Sequence, residues 1–246
     1  MLNHKILLRG HTPALEIAAH ILRKEGRSFL TEIPEEATHL LLPVPSLTPE
    51  GKIVGGDPLS QLLPQLKDSV IVIGGILKHP LLADYARIDL LEDPIYLAEN
   101  AYITAHCAVR LILEKLPVAL RSCPVLVIGW GRIGKCLAAM LKGLEANVTV
   151  AARNETDRAM LSALGYGAAD SSRLNTAPYR VILNTVPAPI AARLPEEALC
   201  IDLASVKGLS GNQVIWARGL PGRDAPEASG ELIAKTILRK LSEAYI

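Results

Sequence analysis

Two hydrophobic patterns alternate along the chain. Short runs of consecutive apolar residues are bounded by polar or glycine-rich turns, and between them apolar residues recur every three or four positions. The first pattern marks strands buried on both faces and the second marks amphipathic helices. In the first 95 or so residues the runs are Lys5 to Arg9, His39 to Leu42, Val70 to Ile73 and Ala86 to Leu90. A helix fits between Thr12, a capping residue with Pro13 in the first turn, and Gly26. A shorter one fits Leu59 to Leu66. A loop rich in Pro, Gly and Ser fills Pro43 to Pro58. Strands alternating with helices imply a parallel sheet. Residues 1–97 are therefore expected to form a small α/β domain that holds substrate or a partner.

Asn100 to Leu116 reads as one long helix, a natural bridge into a second domain over 98–225. There the runs are Val125 to Ile128, Asn147 to Ala151, Tyr179 to Asn184, Ala198 to Leu203 and Gln213 to Ala217. Helices are expected over Ile133 to Leu144 and Glu155 to Leu164. Gly219 to Pro226 holds two glycines and two prolines, which predicts a loop. The last helix, Glu227 to Leu241 within 226–246, has a stripe suited to packing back across the domain boundary.

The chemistry concentrates where the first strand of the second domain ends. Val125 to Ile128 runs into Gly129-Trp130-Gly131-Arg132-Ile133-Gly134, a G-x-G-x-x-G, with a helix and then a second strand behind it. The first glycine of such a turn allows the sharp bend, the second lets backbone approach a pyrophosphate, and the third lets helix and strand pack closely. Unpaired amides at the helix start and the helix dipole favour the anion. The fold class is therefore α/β, a Rossmann doubly wound parallel sheet plus a smaller N-terminal α/β domain. Ligands in such sheets lie beyond the carboxyl ends of the strands. That rule gathers Trp130 to Ile133, Arg153, Asn184-Thr185-Val186-Pro187 and Asp202 to Lys207 around one crevice.

The end of the second strand selects the cofactor. NAD sites usually carry Asp or Glu there, about 20 residues past the first glycine. This chain reads Ala151-Ala152-Arg153-Asn154. Arg153 suits a 2′-phosphate, with Asn154 and Arg158 as further donors, so NADP is favoured. Glu155 and Asp157 stand close by and keep NAD open. Asp202 has two readings of equal weight, a cofactor contact or a cap for loop amides.

Composition narrows the class. Of 246 residues half are hydrophobic, enough for proper cores, and the net charge is +1. With no basic run and few aromatics, no nucleic-acid partner is expected. The longest uncharged apolar stretch, Ser69 to Leu77, is too short to span a bilayer, and no signal-peptide core occurs, so no membrane partner is expected. Four cysteines show no metal-like or C-x-x-C spacing, which fits a reduced, cytoplasmic protein without a metal, and Cys136 and Cys200 read as core thiols. On the bridging helix His106, Arg110 and Glu114 share a face. A solvated, ion-paired face is the leading reading of that pattern. The sharper one puts His106 in the cleft between lobes as a proton acceptor. Lys207, Arg110 and Arg223 are candidates to pair with substrate carboxylates.

Taken together these motifs resemble the family of dipicolinate synthase A subunits. The matching segments are Leu41-Leu42-Pro43-Val44 with Glu50-Gly51, the glycine turn, Ala152-Arg153, Asn184-Thr185-Val186-Pro187, Asp202-Leu203-Ala204-Ser205, and Gly219-Leu220-Pro221-Gly222 with Ala225-Pro226 and Gly230. The resemblance implies an oxidoreductase that uses NADP or NAD to aromatise a dihydrodipicolinate-type dicarboxylate in the lysine branch, supplying dipicolinate to spores. It implies a second, flavoprotein-like subunit, and a homo-oligomer is expected. By position Arg132, Ile133, Arg153, Asn184, Thr185 and Pro187 would hold the cofactor. Thr104, Ser205 and the Pro221-Gly222 loop would lie near the substrate. The family's P-T-x-E-G reads Ile103-Thr104-Ala105-His106-Cys107 here, and Val206-Lys207 stand where Arg-Pro is expected. These departures leave the substrate and the acid/base group open. Two rivals remain. A dehydrogenase of the 2-hydroxyacid or shikimate type is weakened because Asp202 to Glu231 holds no histidine. A non-catalytic NAD(P)-binding subunit is kept alive by His106 and Cys107.

Overall fold

The computed structural model describes residues 4–30, 32 and 36–243. The chain divides into two units, 1–100 with 221–246, and 101–220.

In the first unit, β1 (Lys5–Leu8) leads to α1 (Pro13–Lys24), β2 (Ser28–Leu30), β3 (His39–Leu41), α2 (Leu59–Leu62), β4 (Ile71–Gly74) and β5 (Ala86–Asp89). All pairings are parallel, in the order β2-β1-β3-β4-β5. That is the flavodoxin-like doubly wound order. Thr12 caps α1 by accepting the Leu15 amide at 3.2 Å, as the sequence predicted. Strand β2 was not foreseen. It is an edge strand of three part-exposed residues and has no apolar run to announce it.

Helix α3 (Pro94–Lys115) begins six residues before the expected start at Asn100. The missed signal is Asp93-Pro94, an N-cap followed by the residue best tolerated in a first turn. Helices α6 (Leu220–Asp224) and α7 (Pro226–Glu243) close the chain. The expectation of a loop over Gly219 to Pro226 is thus corrected. Leu220 is fully buried and anchors a helical turn, Pro221 sits near its start where no amide is needed, and the Ala225 amide bonds the Pro221 carbonyl at 3.0 Å. Helix α7 lies against α1. A Cβ added at Gly230 would stand 2.6 Å from the Ile17 Cβ and 2.7 Å from the Ala14 carbonyl, so the two backbones approach closely there.

In the second unit β6 (Pro124–Ile128), α4 (Arg132–Gly143), β7 (Asn147–Ala152), α5 (Glu155–Ala163), β8 (Gly167–Asp170), β9 (Val181–Asn184), β10 (Leu199–Asp202) and β11 (Val214–Trp216) follow α3. The order is β11-β10-β9-β6-β7-β8, all parallel. Counted from β6 this is the 3-2-1-4-5-6 order of a dinucleotide-binding sheet, with its switch point between β6 and β9. Only β8, Gly-Ala-Ala-Asp at the edge, escaped the sequence reading. Among the described residues no helix is long and apolar enough to cross a membrane, and no cluster could hold a metal ion. All four cysteines are free thiols. Cys200 is buried, which pushes its pKa up to about 11, whereas Cys136 is only half-buried.

Asp93 ties α3 to α7 in the first unit. Its side chain is 3% exposed. Burial works against its ionisation. Hydrogen bonds from Arg239 (2.7 Å) and the Tyr96 amide (2.8 Å), with Lys240 at 3.0 Å, more than offset this and hold it well below the usual carboxylate range. A depressed folded pKa contributes stability above the unfolded value of 3.8 that is lost as pH falls through the folded value. Asp93→Asn should therefore cost about 2–4 kcal/mol at neutral pH. That deficit should shrink as pH drops below 3.8, which denaturation at a series of pH values will show. A deficit equal at every pH would contradict the ion-pair account.

Gly230→Ala should also destabilise the protein in thermal melts. Crowding costs about 1–3 kcal/mol and outweighs the roughly 1 kcal/mol that alanine gains in helix propensity.

Candidate functional site

The site grows from the turn between β6 and α4. The Gly129 amide donates to the Ala151 carbonyl at 2.9 Å, and Gly129 has φ +104°. A Cβ there would meet Thr185 Oγ1 at 2.5 Å. A Cβ on Gly134 would meet the Gly129 carbonyl at 2.1 Å, so the helix seats directly on the strand end. A Cβ on Gly131 would meet nothing within 4 Å. Two glycines close the turn and the middle one opens it, as the fingerprint requires. Gly131 is also the N-cap of α4, with no side-chain cap bond. The amides of Arg132 and Ile133 follow it at the positive end of the helix dipole. Uncapped amides at a helix start with open space beside them form an arrangement that can receive an anion.

The neighbouring strand ends complete a cavity of about 910 Å³. Its lining includes Gly129, Trp130, Ala152, Arg153, Asn154, Glu155, Asp157, Ser171, Ser172, Val186 and Pro189. Trp130 is steadied by an edge contact with Tyr166 at 5.9 Å and by Lys135 at 5.7 Å from its ring. The Arg153 guanidinium is exposed and makes no hydrogen bond or ion pair among the described residues. Its expected helpers are used otherwise. Asn154 Oδ1 caps α5 by accepting the Thr156 amide at 3.1 Å. Arg158 Nη1 donates to the carbonyls of Ala152 (3.1 Å) and Arg153 (2.6 Å), holding the strand end. Arg158 is thus corrected from phosphate donor to loop brace. Ser171 and Ser172 were missed. Their signal was Asp170-Ser171-Ser172, in which Asp170 Oδ1 accepts the Ser172 amide at 2.8 Å and so turns the chain into the cavity.

Asn184 and Asp202 resolve toward architecture. Both are fully buried. Asn184 Oδ1 accepts the Val186 amide, while its Nδ2 donates to the Val186 carbonyl and to Asp202 Oδ2, each at 3.0 Å. Asp202 further accepts amides from Ala204 (3.0 Å), Gly208 (2.7 Å) and Leu209 (2.8 Å). Of its two readings the loop cap is the one realised. The network laces the loop after β9 to the loop after β10. Thr185 Oγ1 and its amide both donate to the Ile128 carbonyl at 2.9 Å, fixing the first loop against the glycine turn. On the second loop Ser205, Val206 and Lys207 stand exposed between buried Ala204 and Gly208.

The remaining candidates lie elsewhere. Thr104 is buried on α3, and His106 and Arg110 are exposed there; none lines this cavity. Pro221 and Gly222 are half-buried in α6, and Arg223 is paired with Asp224 at 2.8 Å.

Sheet order, open glycine turn and cavity define a Rossmann-type dinucleotide-binding α/β protein. Comparison with known proteins narrows this. No family model matches the chain. The A subunit of dipicolinate synthase from Bacillus subtilis strain 168 is 26% identical over 171 residues, 63% of this chain and 58% of that protein. The match therefore spans less than two thirds of that relative's length. The solved A subunit of the Bacillus halodurans dipicolinate synthase superposes with a TM-score of 0.86 at 21% identity, covering 97% of this chain and 98% of the other. Its Bacillus subtilis counterpart gives 0.80 at 22%, covering 99% and 97%. A transhydrogenase from Sinorhizobium meliloti gives 0.64 at 12%, covering 96% and 92%. The resemblance to dipicolinate synthase A subunits, read from the motifs, is borne out, as is the α/β fold class.

The glycines make separable predictions. Gly134→Ala should destabilise the second unit, because its Cβ would fall on backbone. Gly131→Ala should melt like the parent and yet lose about tenfold or more in nicotinamide-nucleotide affinity, since its methyl occupies only ligand space. Calorimetric titration with thermal melts will separate the two.

Proposed function

We propose that the protein is an NADP-dependent oxidoreductase that resembles the A subunit of dipicolinate synthase and oxidises a dihydrodipicolinate-type heterocyclic dicarboxylate. The observation that carries this is the open space at Gly131 beside a cavity bearing the unpaired Arg153 cation. Amides of Arg132 and Ile133 hold the diphosphate. Arg153 pairs with the 2′-phosphate and stacks on adenine. Thr185 to Pro187 form the wall braced by Asn184 and Asp202. When bound, the nicotinamide supplies the hydride acceptor at its C4; the chain supplies orientation and charge. Lys207, exposed at the tip of the Asp202-capped loop, binds a substrate carboxylate, with Ser205 beside it. Thr104 and the Pro221-Gly222 segment belong to the substrate side by their match to the family motifs. We assign His106 no step in the chemistry.

NAD is the second reading for the cofactor, favoured by Glu155 and Asp157, whose carboxylates line the same cavity and suit ribose hydroxyls. The relative's name describes one subunit of a larger enzyme. A flavoprotein-like second subunit is therefore the proposed partner, and a reducing cytoplasm the proposed compartment for four free thiols.

Turnover of freshly prepared dihydrodipicolinate, followed by the absorbance of reduced nicotinamide, tests the reading. Cofactor binding without turnover, in the presence of the second subunit, would favour a non-catalytic nucleotide-binding role. Arg153→Asp should weaken NADP binding by roughly 10–100-fold, the worth of one charge-assisted phosphate contact, and leave NAD nearly unaffected. Unchanged NADP affinity in that variant would refute the 2′-phosphate assignment.

A further inference from the structure

Trp216 closes β11 at the carboxyl edge of the second sheet, outside the lining of the cavity that Arg153 faces, and is 44% exposed. It pairs in register with Asp202 of β10, and the Ala217 amide donates to the Asp202 carbonyl at 2.8 Å. Its ring is fixed as well, because Nε1 donates to the Ala204 carbonyl at 3.1 Å. Ala204 opens the loop that Asp202 caps and whose exposed tip is Ser205-Val206-Lys207. The Arg218 guanidinium lies over the indole, 5.2 Å from the ring centre. A guanidinium seated on an aromatic face keeps its N–H donors at its rim, free for a carboxylate. The side chains of Arg218 and Lys207 make no hydrogen bond or ion pair among the described residues. An exposed cation is ordinary by itself. One placed by a ring, which is placed in turn by a hydrogen bond to a capped loop, is preorganised for a ligand.

We propose that Trp216 and Arg218 form one arm of the substrate site and, with Lys207, select a flat ring that bears two carboxylates. Arg218 receives one carboxylate through its forked donors and Lys207 receives the other. Trp216 is the positioning residue that aims the fork. Two cations held on adjacent loops match two anionic groups on one small molecule. Their place in the sheet fits the same role. Each half of a doubly wound dinucleotide sheet serves one mononucleotide. The cavity bearing Arg153 draws on the ends of β6 and β7 and the loops after β8 and β9. The nicotinamide half, and the substrate that meets it, then belongs to the side of β10 and β11. This inference rests on the ring-dicarboxylate reading above and adds the group that reads the second carboxylate.

Calorimetric titration of the full chain in its NADP complex tests it. The probes are dipicolinate, a ring with two carboxylates, and picolinate, the same ring with one. The parent should prefer dipicolinate by about tenfold or more, the worth of one charge-assisted contact. Arg218→Gln should erase that preference and leave melting and NADP affinity as in the parent. Arg218→Lys should restore only part of it, because an ammonium has no fork. Trp216→Phe should keep the preference and Trp216→Leu should lose most of it, since an aromatic ring is what seats the guanidinium. An unchanged preference in Arg218→Gln would overturn the inference and leave the proposed reaction standing. So would a loss of NADP affinity in that variant, which would assign the fork to the cofactor. Full preference in Trp216→Leu would deny the indole its positioning role. A parent that binds neither probe would refute the ring-dicarboxylate reading itself, and this inference with it.

Discussion

The close seating of α4 on the end of β6 is the contact on which the rest depends. Gly134 lies so near the Gly129 carbonyl that no side chain fits between them. That contact aims the first-turn amides of the helix beyond the strand end. The middle glycine then leaves space where those amides point. Backbone alone thus shapes this opening, with the dipole of a 12-residue helix behind it. Preorganisation matters here because amides fixed by packing need no reordering when a charged ligand arrives.

Around this turn the buried polar groups act as joinery. Asn184 and Asp202 hide a carboxyl and an amide group inside the protein, which is costly unless each lone pair and N–H is used. They are used by backbone amides and a carbonyl of two adjacent loops and by each other. The result is a rigid wall beside the glycine turn and an exposed loop tip at Lys207. Arg158 does similar work under the end of β7, which leaves Arg153 to face the cavity. Of the polar residues collected around the crevice, several build the frame and fewer face the cavity.

Much of this was legible in the chain. The apolar runs located the strands of both sheets except β2 and β8, two edge strands whose Ser-Phe-Leu and Gly-Ala-Ala-Asp carry no apolar run long enough to mark them. The glycine fingerprint located the tight turn between β6 and α4 because its three positions answer to backbone sterics, which sequence encodes directly. Side-chain roles were harder to read. Arg153, Asn154 and Arg158 look alike as polar residues after a strand. Only the fold shows that Asn154 caps a helix and Arg158 reaches back to carbonyls. Helix α6 was misread because glycine and proline density outweighed one buried leucine, Leu220. The shared face of His106, Arg110 and Glu114 on α3 was visible as a spacing, and all three side chains are exposed, as the leading reading of that pattern expected.

The central claim is that main-chain amides at the start of α4 receive a diphosphate. A crystal structure of the protein with NADP tests it most directly. The account predicts diphosphate oxygens about 3 Å from the amides of Arg132 and Ile133, in the space beside Gly131. A nucleotide bound elsewhere, with that space filled by protein, would contradict it.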